Sequence, residues 1–117
     1  MSDEVSIRRG DVVIVHLDPT EGHEMKKTRP AVVVQNGIGN KNASTTIVAP
    51  ATGTYSGYPF EVQVEAADSL FEKDSSVRLD QLRVVSIERR ILSVVGRLDT
   101  PTMAAIDEAL KVSLGLD

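Results

Sequence analysis

Five residues carry groups that can together handle a phosphodiester: His23, Arg29, Thr52, Arg78 and Asp80. Arg29 precedes Pro30, which biases its backbone to an extended form at the mouth of a strand. Its guanidinium would lie near the loop of His23 and Glu24. Thr52 is expected just past a strand end, in a Gly-containing loop. Arg78 and Asp80 are two apart on an expected strand, so both point to one face. A guanidinium fork suits a phosphate, and no metal site is evident to take that role. No metal and no cofactor are expected. The chain has no cysteine, which removes disulfides, thiolate metal sites and a cysteine nucleophile. The plainer reading makes Arg78–Asp80 a surface ion pair, Thr52 a turn residue and His23 an idle loop histidine. Composition and spacing alone favour that plainer reading.

Several motifs fail. His23-Glu24-Met25-Lys26-Lys27 begins like a zinc-protease helix but ends in lysine. His16 with Asp18 lacks a third donor. Gly37-Ile38-Gly39 is too short for a dinucleotide loop and no long helix follows it. Asn42-Ala43-Ser44 spells a glycosylation sequon, but no secretion signal accompanies it.

The charge pattern qualifies the net charge. Thirteen Lys and Arg against seventeen Asp and Glu give −4 over 117 residues, which taken whole argues against a non-specific nucleic-acid binder. The signs are segregated, however. Lys26, Lys27 and Arg29 form one basic cluster, and Arg78, Arg83, Arg89, Arg90 and Arg97 form a second. A groove lined by one sign acts locally whatever the distant field.

The elements that must position these groups are short strands. Val12–Leu17, 31–35, Thr45–Ala49, 60–65, a strand within 76–85, and 91–98 show strand patterning. In the fourth, Phe60, Val62 and Val64 are expected inward. Val77, Leu79 and Val84 are expected inward in the fifth. Residues 18–28, 36–44 and 50–59 are expected loops. Residues 66–75 are expected to be irregular or a short helical turn. Ser86 is expected to cap a short turn through Arg90. Thr100 as N-cap and Pro101 start a C-terminal helix. Met103, Ile106, Leu110 and Leu114 line one face of it, and Gly115 stops it. The expected architecture is a mainly β domain, a small twisted sheet or half-open barrel closed by one α-helix. A single domain over 5–117 is expected, with 1–4 as a flexible N-terminus. Apolar residues make up 41%, the balance of a soluble globular protein, and no apolar run reaches the roughly 18 residues of a helical membrane span. A cytoplasmic protein is expected.

Longer stretches carry a resemblance. Arg9-Gly10-Asp11-Val12, Leu17-Asp18-Pro19-Thr20, Gly22-His23-Glu24 and the run 28–34 (TRPAVVV) resemble the N-terminal signature of the MazF/PemK (Kid-like) toxins of bacterial toxin–antitoxin pairs. The likeness continues through 47–52 (IVAPAT), 74–83 (DSSVRLDQLR) and 106–110 (IDEAL), in the family's order, from about Ile7 to Leu114. It implies a small SH3-like β-barrel shared with the gyrase poison CcdB, and a homodimer. It implies metal-independent cleavage of single-stranded RNA, mostly mRNA, by attack of the ribose 2′-hydroxyl on phosphorus. A MazE-like antitoxin would be the partner. MazF-type members imply Arg29 and Thr52 as the cleaving pair. The Kid-like branch implies His23, Arg78 and Asp80, with Asp80 as base. Glu24, Asn36, Phe60 and Gln81 are RNA-contact candidates, with Lys26 and Lys27 as phosphate-attracting cations. Where relatives often carry Gln and Gly after Glu24, this chain has Met25, Lys26 and Lys27, so cut-site preference is the property that transfers least. A non-enzymatic CcdB-like toxin and a plain SH3-like binding module are the alternatives.

Overall fold

The computed structural model describes residues 6–17, 27–65, 71 and 73–116, and for Lys27 the backbone only. The expectations placed on 1–4, on His23, Glu24 and Lys26, on the Lys27 side chain and on 66–70 and 72 lie outside them.

Seven strands and three helices follow in chain order. They are β1 (Asp11–Leu17), β2 (Lys27–Val33), α1 (Gly37–Asn42), β3 (Thr45–Thr52), β4 (Glu61–Val64), β5 (Ser75–Arg78), β6 (Arg83–Ser86), α2 (Ile87–Arg90), β7 (Ile91–Arg97) and α3 (Thr100–Leu114). The strands form one antiparallel sheet in the order β4-β5-β3-β2-β1-β7, with β6 also on β3. Thus the expected β architecture with a C-terminal helix is what the chain adopts.

β3 organises the sheet. Its first half pairs with β6, from Thr45↔Ser86 to Val48↔Arg83, and its end pairs with β5 at Ala51↔Val77 and Thr52↔Ser76. Pro50 sits between the two ladders. A proline offers no N–H, so it fits where a strand changes partner. β5 and β6 are therefore two strands, not the single strand expected over 76–85, and the turn between them lies beside Pro50. Register shifts on β1 at Val12/Val13 and Ile14/Val15 add twist where it meets β7.

Alternation along the strands builds a core on each face. Val12, Val32, Ala49, Ala51, Val62, Val64, Val77 and Leu79 pack toward α3 with Ile106 and Ala109. Val13, Val15, Ala31, Val33, Val48 and Val85 face the other way, toward Ile87 and Ile91 around α2. The small β-branched side chains allow such close layering with only four aromatic residues in the chain.

Four local expectations are corrected. Residues 37–42 form a helical turn, because the Asn36 side chain accepts the Gly39 N–H and caps it. β3 runs on through Thr52, so that residue ends a strand rather than following it. Val84 is 67% exposed, since it is Val85 that faces the core. The N-cap of α3 is Asp99, whose carboxylate accepts the Thr102 N–H, and Thr100 is already helical. Leu114 lies exposed at the last turn. As expected, Ser86 caps α2 and Gly115 ends α3 in the left-handed region at φ 73°. α3 is held to the sheet by Arg9, which donates to Val34 O at 2.9 Å and Asp107 Oδ1 at 2.7 Å. Ser113 Oγ donates to Leu79 O at 2.7 Å, one residue from Arg78.

Candidate active site

The second face of the sheet divides in two. Where α2 covers it, the face is apolar. Beyond Ala31 on β2 and Val48 on β3, the same alternation brings up Arg29 and Thr52. Residues directly opposite in antiparallel strands share a face. Val15 pairs with Arg29, Thr52 with Ser76, Gln63 with Ser76, and Glu61 with Arg78. Val48 likewise pairs with Arg83. The β2–β3 ladder runs from Val33↔Val48 to Ala31↔Pro50, and continuing it by two residues sets Arg29 against Thr52. Five strands thus contribute polar side chains to one stretch of sheet that α2 does not cover, with Glu61 and Ser76 buried within it.

Arg29 and Thr52 line two adjoining hollows. One, of about 680 Å³, opens toward the α3 side of the sheet, past Pro30, Ala51, Phe71, Lys73, Ser75 and Val95. The other, of about 430 Å³, is closed by Leu17, Pro50, Gln81, Leu82 and Arg83. Both residues are half-buried. Among the described residues no carboxylate pairs with Arg29. The Thr52 hydroxyl has only a long bond, 3.3 Å, to Thr54 O, so it can turn to another acceptor. Arg83 and Lys73 were not singled out as site residues from the sequence. For Arg83 the signal was the strand period, since it shares the face of Val85.

Arg78 and Asp80 do meet, as their spacing predicts. Arg78 Nε donates to Asp80 Oδ1 at 2.9 Å and Nη2 to Oδ2 at 2.7 Å, a bidentate pair. The side chains are 21% and 28% exposed, and the two bonds lie at the protein surface. The hydrogen bond from Arg78 holds the Asp80 carboxyl below its ordinary range, against a smaller opposing effect of burial. The same bond raises the pKa of Arg78, which makes it a stabiliser of negative charge rather than a proton donor.

The fully buried Glu61 lies behind this pair. Phe60 is half-buried and stacked on Tyr58 at 5.0 Å between centroids and 7° between planes. Arg78 Cζ lies 5.7 Å from the Phe60 centroid. Tyr58 is the exposed member of the stack. Asn36 is exposed, but its side-chain oxygen is committed to the cap of α1. Gln81 is exposed in the β5–β6 turn. Among the described residues no group of three His, Asp or Glu is placed to hold a metal ion.

A family model described as the PemK-like, MazF-like toxin of type II toxin–antitoxin systems matches residues 8–114. The chain belongs to the PemK/MazF toxin family. Its relatives include Endoribonuclease EndoA of Bacillus subtilis (strain 168), 38% identical over 112 residues, which are 94% of this chain and 96% of that protein. Solved structures of the same fold include the Mycobacterium tuberculosis toxin MazF-mt6, at 24% identity and TM-score 0.76, covering 92% of this chain and 98% of that one. A MazE–MazF structure from Deinococcus radiodurans aligns at 24% identity and TM-score 0.79, covering 97% and 100%. A mycobacterial endoribonuclease in complex with its cognate antitoxin aligns at 22% identity and TM-score 0.78, covering 95% and 97%. This PemK/MazF chain therefore keeps the family's fold over nearly its whole length.

Proposed function

We propose that this PemK/MazF chain is the endoribonuclease toxin of a type II toxin–antitoxin pair, cutting single-stranded RNA without a metal. The placement of Arg29 and Thr52 against one another on an open polar face carries the reading, and the named activity of the Bacillus relative supports it.

The ribose 2′-oxygen attacks the adjacent phosphorus, the P–O5′ bond breaks, and a 2′,3′-cyclic phosphate and a 5′-hydroxyl remain. Arg29 stabilises the charge that builds on the phosphorane oxygens. The Thr52 hydroxyl holds the phosphate or relays the 2′-hydroxyl proton. Asp80 is the stronger base by type, but each of its oxygens accepts a hydrogen bond from Arg78, which lowers its basicity until that pair opens. Arg83, Lys73 and Gln81 contact the RNA backbone along the two hollows. His23, Glu24, Lys26 and Lys27 complete the interface from the segment before β2. Tyr58, the exposed member of its stack with Phe60, offers the surface on which an unpaired base stacks.

A second copy of the chain covers β7. That strand ends the sheet, and it exposes Leu92, Val94 and Val95. Val95 also lines the larger hollow, so the homodimer contact borders the site. A MazE-like antitoxin with an acidic segment competes with RNA for the basic face. Among the described residues no helix is long and apolar enough to cross a membrane. Its messenger substrate places the working toxin in the cytoplasm.

The test is long single-stranded RNA with purified protein and excess EDTA. Fragments with 5′-hydroxyl ends at a recurring short sequence are expected, lost on Arg29→Ala in a protein that still folds. Intact RNA from antitoxin-free protein would overturn the proposal.

A further inference from the structure

Glu61 has no part in the chemistry above, yet it is the most deeply placed carboxylate in the region. Its side chain is 0% exposed. Oε1 accepts from the Ser56 N–H at 2.9 Å and from Ser76 Oγ at 3.0 Å. Oε2 is buried and has no hydrogen-bond donor among the described residues. A buried carboxylate oxygen without a donor is costly, and folded proteins carry few of them. Arg78 is the cation that faces it: Nε lies 3.9 Å from Oε2, too far for a hydrogen bond.

Nε carries a single hydrogen. In this structure that hydrogen goes to Asp80 Oδ1 at 2.9 Å. Two carboxylates therefore stand near one N–H, Asp80 bonded to it and the buried Glu61 just out of reach. Glu61 itself is fixed, because its other oxygen is tied both to the 53–60 loop and to β5.

We propose that Glu61 is the positioning residue of Arg78: its Oε2 takes the Nε–H when RNA draws Asp80 out of the fork. The proposal rests on the ribonuclease reading. In the closed pair the Nε–H and one Nη2 hydrogen go to Asp80, which ties up the carboxylate as a base while the remaining Nη hydrogens are not used by it. A shift of about 1 Å brings Nε into hydrogen-bond range of Oε2. Asp80 is then free to accept the 2′-hydroxyl proton, and the Nη2 hydrogen it held joins the other Nη donors for the phosphate. Asp80 gains the 2′-hydroxyl proton, Arg78 keeps its own, and the departing 5′-oxygen takes its proton from water, which leaves the step balanced. Without Glu61, opening the pair would leave the guanidinium with no fixed anchor.

Glu61→Gln tests this. It keeps an oxygen for Ser56 and Ser76 and puts an amide NH2 where Oε2 stood, which cannot accept the Nε–H. The expected result is a fall in kcat of about 10²-fold, the usual scale for a misplacement near 1 Å, with KM little changed. The second readout needs no substitution. The Arg78 Nε–H resonance of the wild-type protein is followed by NMR on adding an RNA that spans a mapped cut site and carries one 2′-deoxyribose there. It should shift as the donor changes partner, and it should not do so in Glu61→Gln. A folded Glu61→Gln protein that cuts at the wild-type rate, or an unmoved wild-type resonance in the RNA complex, overturns the proposal. If the variant does not fold, the wild-type resonance decides alone. Wild-type protein that cuts no RNA fails the ribonuclease reading instead, whereas equal cutting by wild type and Glu61→Gln fails this inference only.

Discussion

Replacing Arg29 with lysine separates the shape of the cation from its charge. Arg29 sits in β2 opposite Val15, half-buried, with no carboxylate partner among the described residues. Lysine keeps the positive charge on the same strand and the same face but loses the planar fork that matches two phosphate oxygens. The loss is that of a preorganised donor aimed at developing charge, about 10²–10³ in kcat, or about 2.7–4 kcal/mol. Stability should move by no more than about 0.5 kcal/mol, because no described ion pair is broken and little apolar surface is uncovered. Single-turnover cleavage of a mapped RNA in EDTA measures the first quantity, and urea unfolding the second. Arg29→Lys cutting at the wild-type rate would refute the reasoning. So would a rate loss matched by an equal loss of stability, because Arg29 would then be holding the sheet rather than the phosphorane.

Thr52→Val should cost about 10²-fold in cleavage rate while Thr52→Ser keeps most of it, since the step needs the hydroxyl and not the methyl; a valine variant of full activity would remove Thr52 from the reaction. Arg83→Ala should weaken RNA binding and reduce the slope of log K against log salt by about 0.7, one single-strand phosphate contact, in a titration at several salt concentrations. The Asp80 carboxyl is held low by Arg78, so the pair adds stability above the unfolded pKa of about 3.9 and loses it as pH falls through the lower folded value. Asp80→Asn should therefore destabilise the protein at neutral pH, with the difference from wild type shrinking as pH falls below the unfolded carboxylate range, by urea unfolding across that pH range. Ile106→Ala, at a fully buried position between α3 and the sheet, should cost about 2–5 kcal/mol in the same assay.

The strands and the closing helix were legible because their periods are simple. Val12–Leu17 lies between turn residues, and Met103, Ile106 and Leu110 recur at helical spacing. What was not legible depends on choices made across strands. The pattern in 76–85 contains enough β-branched residues for one strand, but β3 changes partner at Pro50, so the segment must break into β5 and β6. Val84 and Val85 are both apolar and adjacent, and nothing local says which turns inward. Cross-strand pairing decides it, because Val85 lies opposite Thr46 on the buried side. Asn36, an RNA-contact candidate, also caps a helix that was read as a loop, because a six-residue helix without a buried residue leaves no apolar period to announce it.

The site itself was half legible for a physical reason. Alternation sorts residues into two faces, and it correctly put Glu61 and Gln63 opposite Val62 and Val64. It equates the polar face with water. Here the polar face is the continuation of a core: the row that is Val15, Ala31, Val33 and Val48 under α2 becomes Arg29, Thr52, Ser76 and Arg78 where α2 no longer covers it. One sheet surface serves as packing at one end and as the proposed RNA groove at the other, so that groove is built on strands rather than on loops. That is also why Glu61 is buried although the pattern sets it outward. The 53–60 loop folds over it, with the Ser56 N–H on its carboxylate, and turns an apparently solvated acid into a fixed anchor beneath Arg78. A charged residue on the outward side of a strand is surface only if nothing returns to cover it, and in this chain the segment that returns is the one that follows Thr52.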